Sequence, residues 1–312
     1  MNSGMRAVFY NERGLRAGWR LFIFAGMIWL VYMAAQVVTR RAGPSGGIPG
    51  DAGYSLPILL AVGEMIPFLV VLFFSWIMSR IEHRQVADYG LPLRRHAWSR
   101  FWTGYLFWGF VPLSILLLTM RAFHVFSFGG LAIRGQQILI WGLLWFFMFL
   151  IVGFLEEFLF RGYALHTLAD GIGFWPAAIL MAIVFARAHM GNGGETRLGI
   201  VATAFFALFA AATLRRTGDL WLAVGAHSGW DWAQSFFYGV PDSGLKTPGH
   251  LLSPQLSTAP VWLSGGSVGP EGSVLTLILW AAMFIVFLLV YRKRQEPALI
   301  MTTAAEAPAQ HA

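Results

Sequence analysis

Apolar runs of about twenty residues, separated by short polar segments, recur along most of the chain. Runs of this length match the ~20 residues that a helix needs to cross a hydrocarbon core of ~30 Å. The pattern predicts an all-α fold, a polytopic transmembrane helical bundle of about eight spans. In chain order, the predicted spans are Leu21–Thr39, Tyr54–Ser79, Phe101–Met120, Gly135–Leu168, Ile172–Met190, Leu198–Leu214, Leu220–Val240 and Ser273–Tyr291.

The composition supports a membrane protein. Hydrophobic residues make up 57% of the chain and charged residues 12%, and the mean hydropathy is +0.62. The absence of cysteine excludes disulfides, thiolate catalysis and thiolate metal ligands. The net charge of +7 is explained by basic residues at span ends that contact anionic lipid, so we expect a lipid bilayer as partner and no nucleic acid.

Basic residues predict the orientation of the bundle. The larger groups all fall on one side of an eight-span topology, which the positive-inside rule assigns to the cytoplasm together with both termini. These groups are Arg6, Arg13, Arg16 and Arg20; Arg80, Arg84, Arg94, Arg95 and Arg100; Arg215 and Arg216; and Arg292, Lys293 and Arg294. Arg40 and Arg41 are the main exceptions. The first uncharged run exceeds the ~7 to 15 residues of a signal-peptide core, which predicts a retained span.

The connections between the spans are uneven. Residues 42–53 and 239–272 are rich in Gly and Pro and are predicted to be external loops, the longer one either a lid over a membrane site or a mobile segment. Residues 296–312 are predicted to be a disordered tail. The fourth span would be ~50 Å long, so a kink near Gly153 or a protruding end is expected.

Two adjacent carboxylates, Glu156 and Glu157, lie in the fourth span, where each charge costs about 2.5 to 3.5 kcal/mol. Residues four apart share a helix face, so Glu157 is predicted to pair with Arg161, whereas Glu156 is turned well away from that arginine. A structural salt bridge therefore accounts for Glu157 and leaves Glu156 as a candidate functional group.

Two further polar groups are predicted to lie near Glu156. The sequence Asp170–Pro176 breaks the helical pattern midway between Glu156 and His189, so an antiparallel hairpin there would place the two side chains at the same depth. In the seventh span, the spacing of His227 and Asp231 puts both on one face. Alternatively, His189 is an ordinary interfacial histidine, and His227 and Asp231 form a hydrogen-bonded pair that only serves packing. Three separate buried polar groups, however, cost more free energy than one shared site.

The remaining candidates carry less information. Glu64 is a lone acid in the second span whose partner the sequence does not identify. No function is assigned to the histidines in loops or near a helix end, which are His83, His96, His124, His166 and His250.

Three motifs resemble the signature of the CPBP family, which comprises type II CAAX prenyl endopeptidases and bacterial Abi proteins for bacteriocin processing and immunity. The motifs are Glu156-Glu157-x-x-x-Arg161, Phe185-x-x-x-His189 and His227-x-x-x-Asp231. The resemblance implies three segments: N-terminal helices in residues 1–134, a protease core in residues 135–240, and a loop, last helix and tail in residues 241–312. It also implies an intramembrane endopeptidase in a bacterial cell membrane, acting on a peptide or membrane-protein substrate.

The resemblance implies an active site of Glu156, His189, His227 and Asp231, with Glu157 and Arg161 in support. In one scheme Glu156, His189 and His227 bind a divalent metal such as zinc and leave a position for water. In the other, Glu156 and His189 deprotonate water without a metal, and His227 and Asp231 face the oxyanion. An ionised Asp231 cannot donate a hydrogen bond to an oxyanion, so this carboxyl is either protonated by burial, or it orients His227 or binds a metal. Of these roles we expect the orienting one.

Other functions remain open from the sequence. A catalytically idle membrane protein for bacteriocin self-immunity or scaffolding would keep the same residues as a polar core. A transporter is a weaker alternative, because neither an inverted repeat nor a pair of broken helices is evident.

Overall fold

The computed structural model describes residues 7–11, 14–41, 53–256 and 259–292. Most of the 42–53 loop, the 296–312 tail, and Arg6, Arg13, Lys293 and Arg294 therefore lie outside the described residues. The structure is 73% helical. Its main helices are α1 (Ala17–Arg41), α2 (Ser55–Ile81), α3 (Ala97–Ala122), α4 (Gln136–Arg161), α5 (Tyr163–Ile172), α6 (Phe174–His189), α7 (Arg197–Thr217), α8 (Trp221–Trp232), α9 (Val261–Ser264) and α10 (Val274–Val290).

A helix occupies each of the eight predicted positions, with α4 and α5 together replacing the fourth predicted span. Among the described residues, five helical segments are long and apolar enough to cross a membrane, and α6 and α10 are shorter apolar helices. The five are Ala17–Val37, Ser55–Ile81, Ala97–Ala122, Gln136–Ile172 and Arg197–Thr217. The predicted polytopic helical bundle is confirmed.

Strands and irregular helices are short. Tyr10–Asn11 pairs with Gly14–Leu15, and Phe126–Ser127 pairs with Gln255–Leu256, both antiparallel. Two 3₁₀ turns lie in connections, at Val86–Tyr89 and Pro270–Gly272. Among the described residues there are two π-helical segments: Gly104–Phe110 lies inside α3, and Ala233–Phe237 directly follows α8. The helix in the position of the predicted seventh span therefore ends at Phe237, before the predicted end at Val240.

The break in the fourth predicted span lies at Gly162, and the kink expected near Gly153 is absent because α4 continues through it. A Cβ at Gly162 would lie 2.3 Å from the Phe158 carbonyl oxygen, so the backbone turns where only glycine fits. Gly153 has a different use: a Cβ there would lie 2.4 Å from the Ser228 hydroxyl, which shows how closely α4 and α8 approach.

Helix α8 lies at the centre of the bundle, with every residue from Leu222 to Asp231 buried. Small residues let it approach α3 at backbone distance, as is common between helices in membranes. A Cβ at Gly225 would lie 2.0 Å from the Phe101 carbonyl oxygen, and one at Gly229 would lie 2.2 Å from that of Tyr105. This contact fixes the depth of His227 and Asp231 in the bundle.

The bundle has two ends with different chemistry. One end contains the connections α2–α3, α5–α6 and α7–α8, the N-terminus of α1 and the C-terminus of α10. We call it the arginine end. Here, ion pairs between charged side chains join the helix termini. Arg20 binds Glu82 at 2.7 Å and Asp170 at 3.1 Å. Trp221 donates to the Pro92 carbonyl at 2.9 Å, so the turn before α8 is anchored there.

At the opposite loop end, backbone hydrogen bonds join connections that are distant in sequence. Ala132 N–H donates to the Leu251 carbonyl at 2.8 Å and Gly244 N–H to the Val268 carbonyl at 2.9 Å. Trp145 on α4 donates to the Pro248 carbonyl at 3.0 Å. The described part of the 239–272 loop is therefore packed onto the end of the bundle.

Candidate active site

The three motifs meet at one cavity of about 300 Å³ between α4, α6, α7, α8 and α10. Glu156, His189, His227 and Asp231 all line it. The predicted hairpin is confirmed, because Gly173 ends α5 with φ +86°, and the returning α6 brings His189 Nε2 to 3.7 Å from Glu156 Oε2. Glu157 and Arg161 lie behind the cavity wall and are nearly inaccessible.

Glu156 is the more accessible of the two adjacent carboxylates, with 26% of its side chain exposed. Its Oε2 lies 3.7 Å from both His189 Nε2 and His227 Nε2. That separation is too long for a direct hydrogen bond, and Oε2 has no hydrogen-bond partner among the described residues. A carboxylate oxygen facing two imidazole nitrogens across a gap is suited to hold a water between them.

Hydrogen bonds on the far side of each imidazole define which nitrogen faces the cavity. His189 Nδ1 lies 2.8 Å from the Phe185 carbonyl oxygen, and His227 Nδ1 lies 2.9 Å from Glu157 Oε1. Both partners are acceptors, so a neutral ring carries its proton on Nδ1 and presents the lone pair of Nε2. The two histidines are therefore held as bases toward the same point.

Glu157 has two partners, of which the sequence predicted one. Its Oε1 accepts from Arg161 at 3.2 Å, as the i, i+4 spacing indicates, and also from His227. The contact between α4 and α8 through Gly153 brings the second partner within reach. Glu157 therefore orients His227 in addition to pairing with Arg161.

Arg161 connects the first motif to the second. Its guanidinium lies over the Phe185 ring, 4.2 Å from the centroid, and only 2% of the arginine is exposed. A desolvated cation over an aromatic face is attracted by about 2 kcal/mol or more. Because Phe185 also supplies the carbonyl that holds His189, this contact fixes α6 relative to α4.

Asp231 faces the cavity-side nitrogen of His227, with Oδ2 at 3.5 Å from Nε2. The Nδ1 side is occupied by Glu157, so the predicted orientation of His227 by Asp231 does not take place through that nitrogen. Asp231 is instead placed where it can contact a group bound between His227 and Glu156.

Further carboxylates line the cavity toward the loop end, and the sequence motifs gave no sign of them. Asp242 accepts from the Ser235 hydroxyl at 2.9 Å, and Glu271 accepts from the Ser243 backbone N–H at 2.9 Å. Both carboxyls have a raised pKa because burial disfavours the charged form, and each is also close to another carboxylate. The residues that line the cavity include no Lys or Arg.

Other acids and histidines lie apart from this cavity. Glu64 on α2 lies within electrostatic range of Glu156 but does not line the cavity. His166 is buried against the Gly162 carbonyl and the Tyr89 ring and does not line the cavity.

Glu156, His189 and His227 together supply the donor types of a zinc site. Among the described residues, no group of three or more His, Asp and Glu side chains has the geometry to hold a metal ion.

Residues 137–233 match the family model described as Type II CAAX prenyl endopeptidase Rce1-like. The match confirms the resemblance carried by the three motifs, and it lies inside the predicted core of residues 135–240. Comparison with curated proteins and with solved structures gives no match. At family level, the match supports the resemblance of this segment to CAAX-protease-like intramembrane endopeptidases.

Proposed function

We propose that this chain is an active intramembrane endopeptidase in which Glu156 activates water for attack on a peptide carbonyl. The observation that carries the proposal is the position of Glu156 Oε2, which faces His189 Nε2 and His227 Nε2 at equal distances across the cavity. A packed structural core would be expected to close these gaps into direct hydrogen bonds.

The side chains account for the proton transfers of hydrolysis. Glu156, with His189, takes a proton from water as the water oxygen bonds to the carbonyl carbon. When the tetrahedral intermediate collapses, the carbon–nitrogen bond breaks and the same proton passes to the departing amine. His227 holds the attacking water from its second side while Glu157 keeps its ring in place.

The experiment compares Glu156→Gln with the native chain, reconstituted in proteoliposomes with a library of membrane-anchored reporter peptides. Loss of a general base lowers the rate by about 10² to 10⁴-fold. Glu64→Gln is the matched control, since it removes an intramembrane carboxylate outside the cavity and should keep cleavage. Cleavage that Glu156→Gln leaves unchanged would contradict the role of Glu156. No cleavage above background by the native chain would favour the immunity or scaffolding role.

Two further measurements resolve the remaining alternatives. Undiminished cleavage by Asp231→Asn would exclude any need for negative charge at that position. Cleavage that survives a chelator supports the side-chain scheme, whereas cleavage lost with chelator and restored by zinc would replace it with the metal scheme.

A further inference from the structure

The cavity extends from the three motifs toward the loop end of the bundle. Its lining includes side chains from loop-end connections, which are Asn192, Asp242, Ser243, Leu245 and Glu271. No lining residue comes from the described connections at the arginine end. A substrate that reaches Glu156 through this cavity therefore enters past the 239–272 loop.

Helix positions agree with this direction. Thr276, near the start of α10, and Ala202, near the start of α7, both line the cavity, and both helices begin at the loop end. At the arginine end, the base of α8 is closed by the buried pair of Arg100 and Asp219 and by the Trp221–Pro92 hydrogen bond.

Basic residues are divided unequally between the two ends. Of the 18 lysines and arginines that the structure describes, ten lie in the segments of the arginine end, seven in those of the loop end, and Arg161 is buried between them. Such an excess marks the cytoplasmic side of a multi-pass protein.

From these observations we infer that the catalytic cavity is loaded from the non-cytoplasmic face of the membrane. The inference rests on the proposed function and names its substrate class. The substrates are peptide segments on the non-cytoplasmic side, either exported peptides or the parts of membrane proteins next to the outer face, and cytoplasmic tails are excluded.

The first test uses the absence of cysteine from the native chain. Lys246→Cys places an exposed thiol on the cavity-side loop, and Ser99→Cys places one at the arginine end. In intact bacterial cells, a membrane-impermeant maleimide should label Lys246→Cys, and should label Ser99→Cys only after permeabilisation. The reverse pattern would overturn the inference.

The second test locates cleavage. Proteoliposomes with the protein in one orientation, established by the same labelling, receive a single-span reporter peptide whose cleavable segment lies either on the Lys246 side or on the Ser99 side. Cleavage that requires Glu156 is expected on the Lys246 side only. Glu156-dependent cleavage on the Ser99 side would overturn the inference while leaving the proposed function intact; cleavage independent of Glu156 would overturn both.

Discussion

The buried pair of Glu157 and Arg161 allows fold and function to be separated by a double-mutant cycle. Glu157 is 0% and Arg161 2% exposed, so removal of either partner leaves the other as an uncompensated buried charge. Breaking such a pair costs about 3 to 5 kcal/mol. Glu157→Leu and Arg161→Met should each lower the free energy of unfolding by that amount.

The double variant should cost much less than the sum of the single variants. Replacing both charges with apolar groups of similar volume is often close to neutral. The remaining losses are the contact of Arg161 with Phe185, worth about 2 kcal/mol, and the acceptor of His227 Nδ1, worth about 1 to 3 kcal/mol. We therefore expect a favourable interaction energy of about 2 kcal/mol or more, measured by reversible unfolding in mixed detergent micelles. Additive losses would refute the buried pair.

The same double variant tests the orienting role of Glu157. It should fold and insert, yet cleave reporter peptide about 10 to 100-fold more slowly, the usual loss when the outer partner of a functional histidine is removed. The pH profile of kcat/KM should also change shape, which a purely structural defect would not cause. Unchanged rate and profile in the folded double variant would exclude an orienting contact to His227.

Two further predictions concern packing and pH. Gly229→Ala should destabilise the protein by about 1 to 3 kcal/mol, since its Cβ would lie 2.2 Å from the Tyr105 carbonyl oxygen. The control Gly63→Ala meets open space and should be neutral or stabilising in the same unfolding assay. Equal effects of the two substitutions would contradict the α3–α8 contact. The pKa of Asp242 is raised in the folded state because the carboxyl is buried. The stability of the folded state should therefore fall as pH rises from about 4 through the folded-state pKa. Asp242→Asn should flatten this pH dependence, which is measured as the protease resistance of the 239–272 loop.

The positions of the helices were predictable because each depends on a local pattern. Long apolar runs define the spans, and the rise per residue alone brings Glu156 and His189 to one depth around the turn at Gly173. The same local reasoning placed the kink near Gly153. Sequence does not distinguish a glycine that admits a neighbouring helix, as Gly153 does, from one that breaks a helix, as Gly162 does.

The parts of the site that were missed depend on packing between distant segments. The contact between Glu157 and His227 requires α8 to lie against α4 at a particular depth, which the glycines facing α3 determine. Asp242 and Glu271 reach the cavity through backbone hydrogen bonds between loops, such as that of Gly244 with Val268. No spacing of residues along the sequence predicts either arrangement.

The two adjacent carboxylates act on opposite nitrogens of the same imidazole. Glu157 Oε1 lies 2.9 Å from His227 Nδ1, and Glu156 Oε2 lies 3.7 Å from Nε2. Because neighbouring residues on a helix point about 100° apart, a ring on the facing helix can lie between the two side chains and contact both. The buried Glu157 holds the ring through a direct hydrogen bond, and the partly exposed Glu156 leaves a gap on the cavity side. Adjacency in the sequence therefore has a structural reason, since one carboxylate fixes the imidazole that the other faces across the cavity.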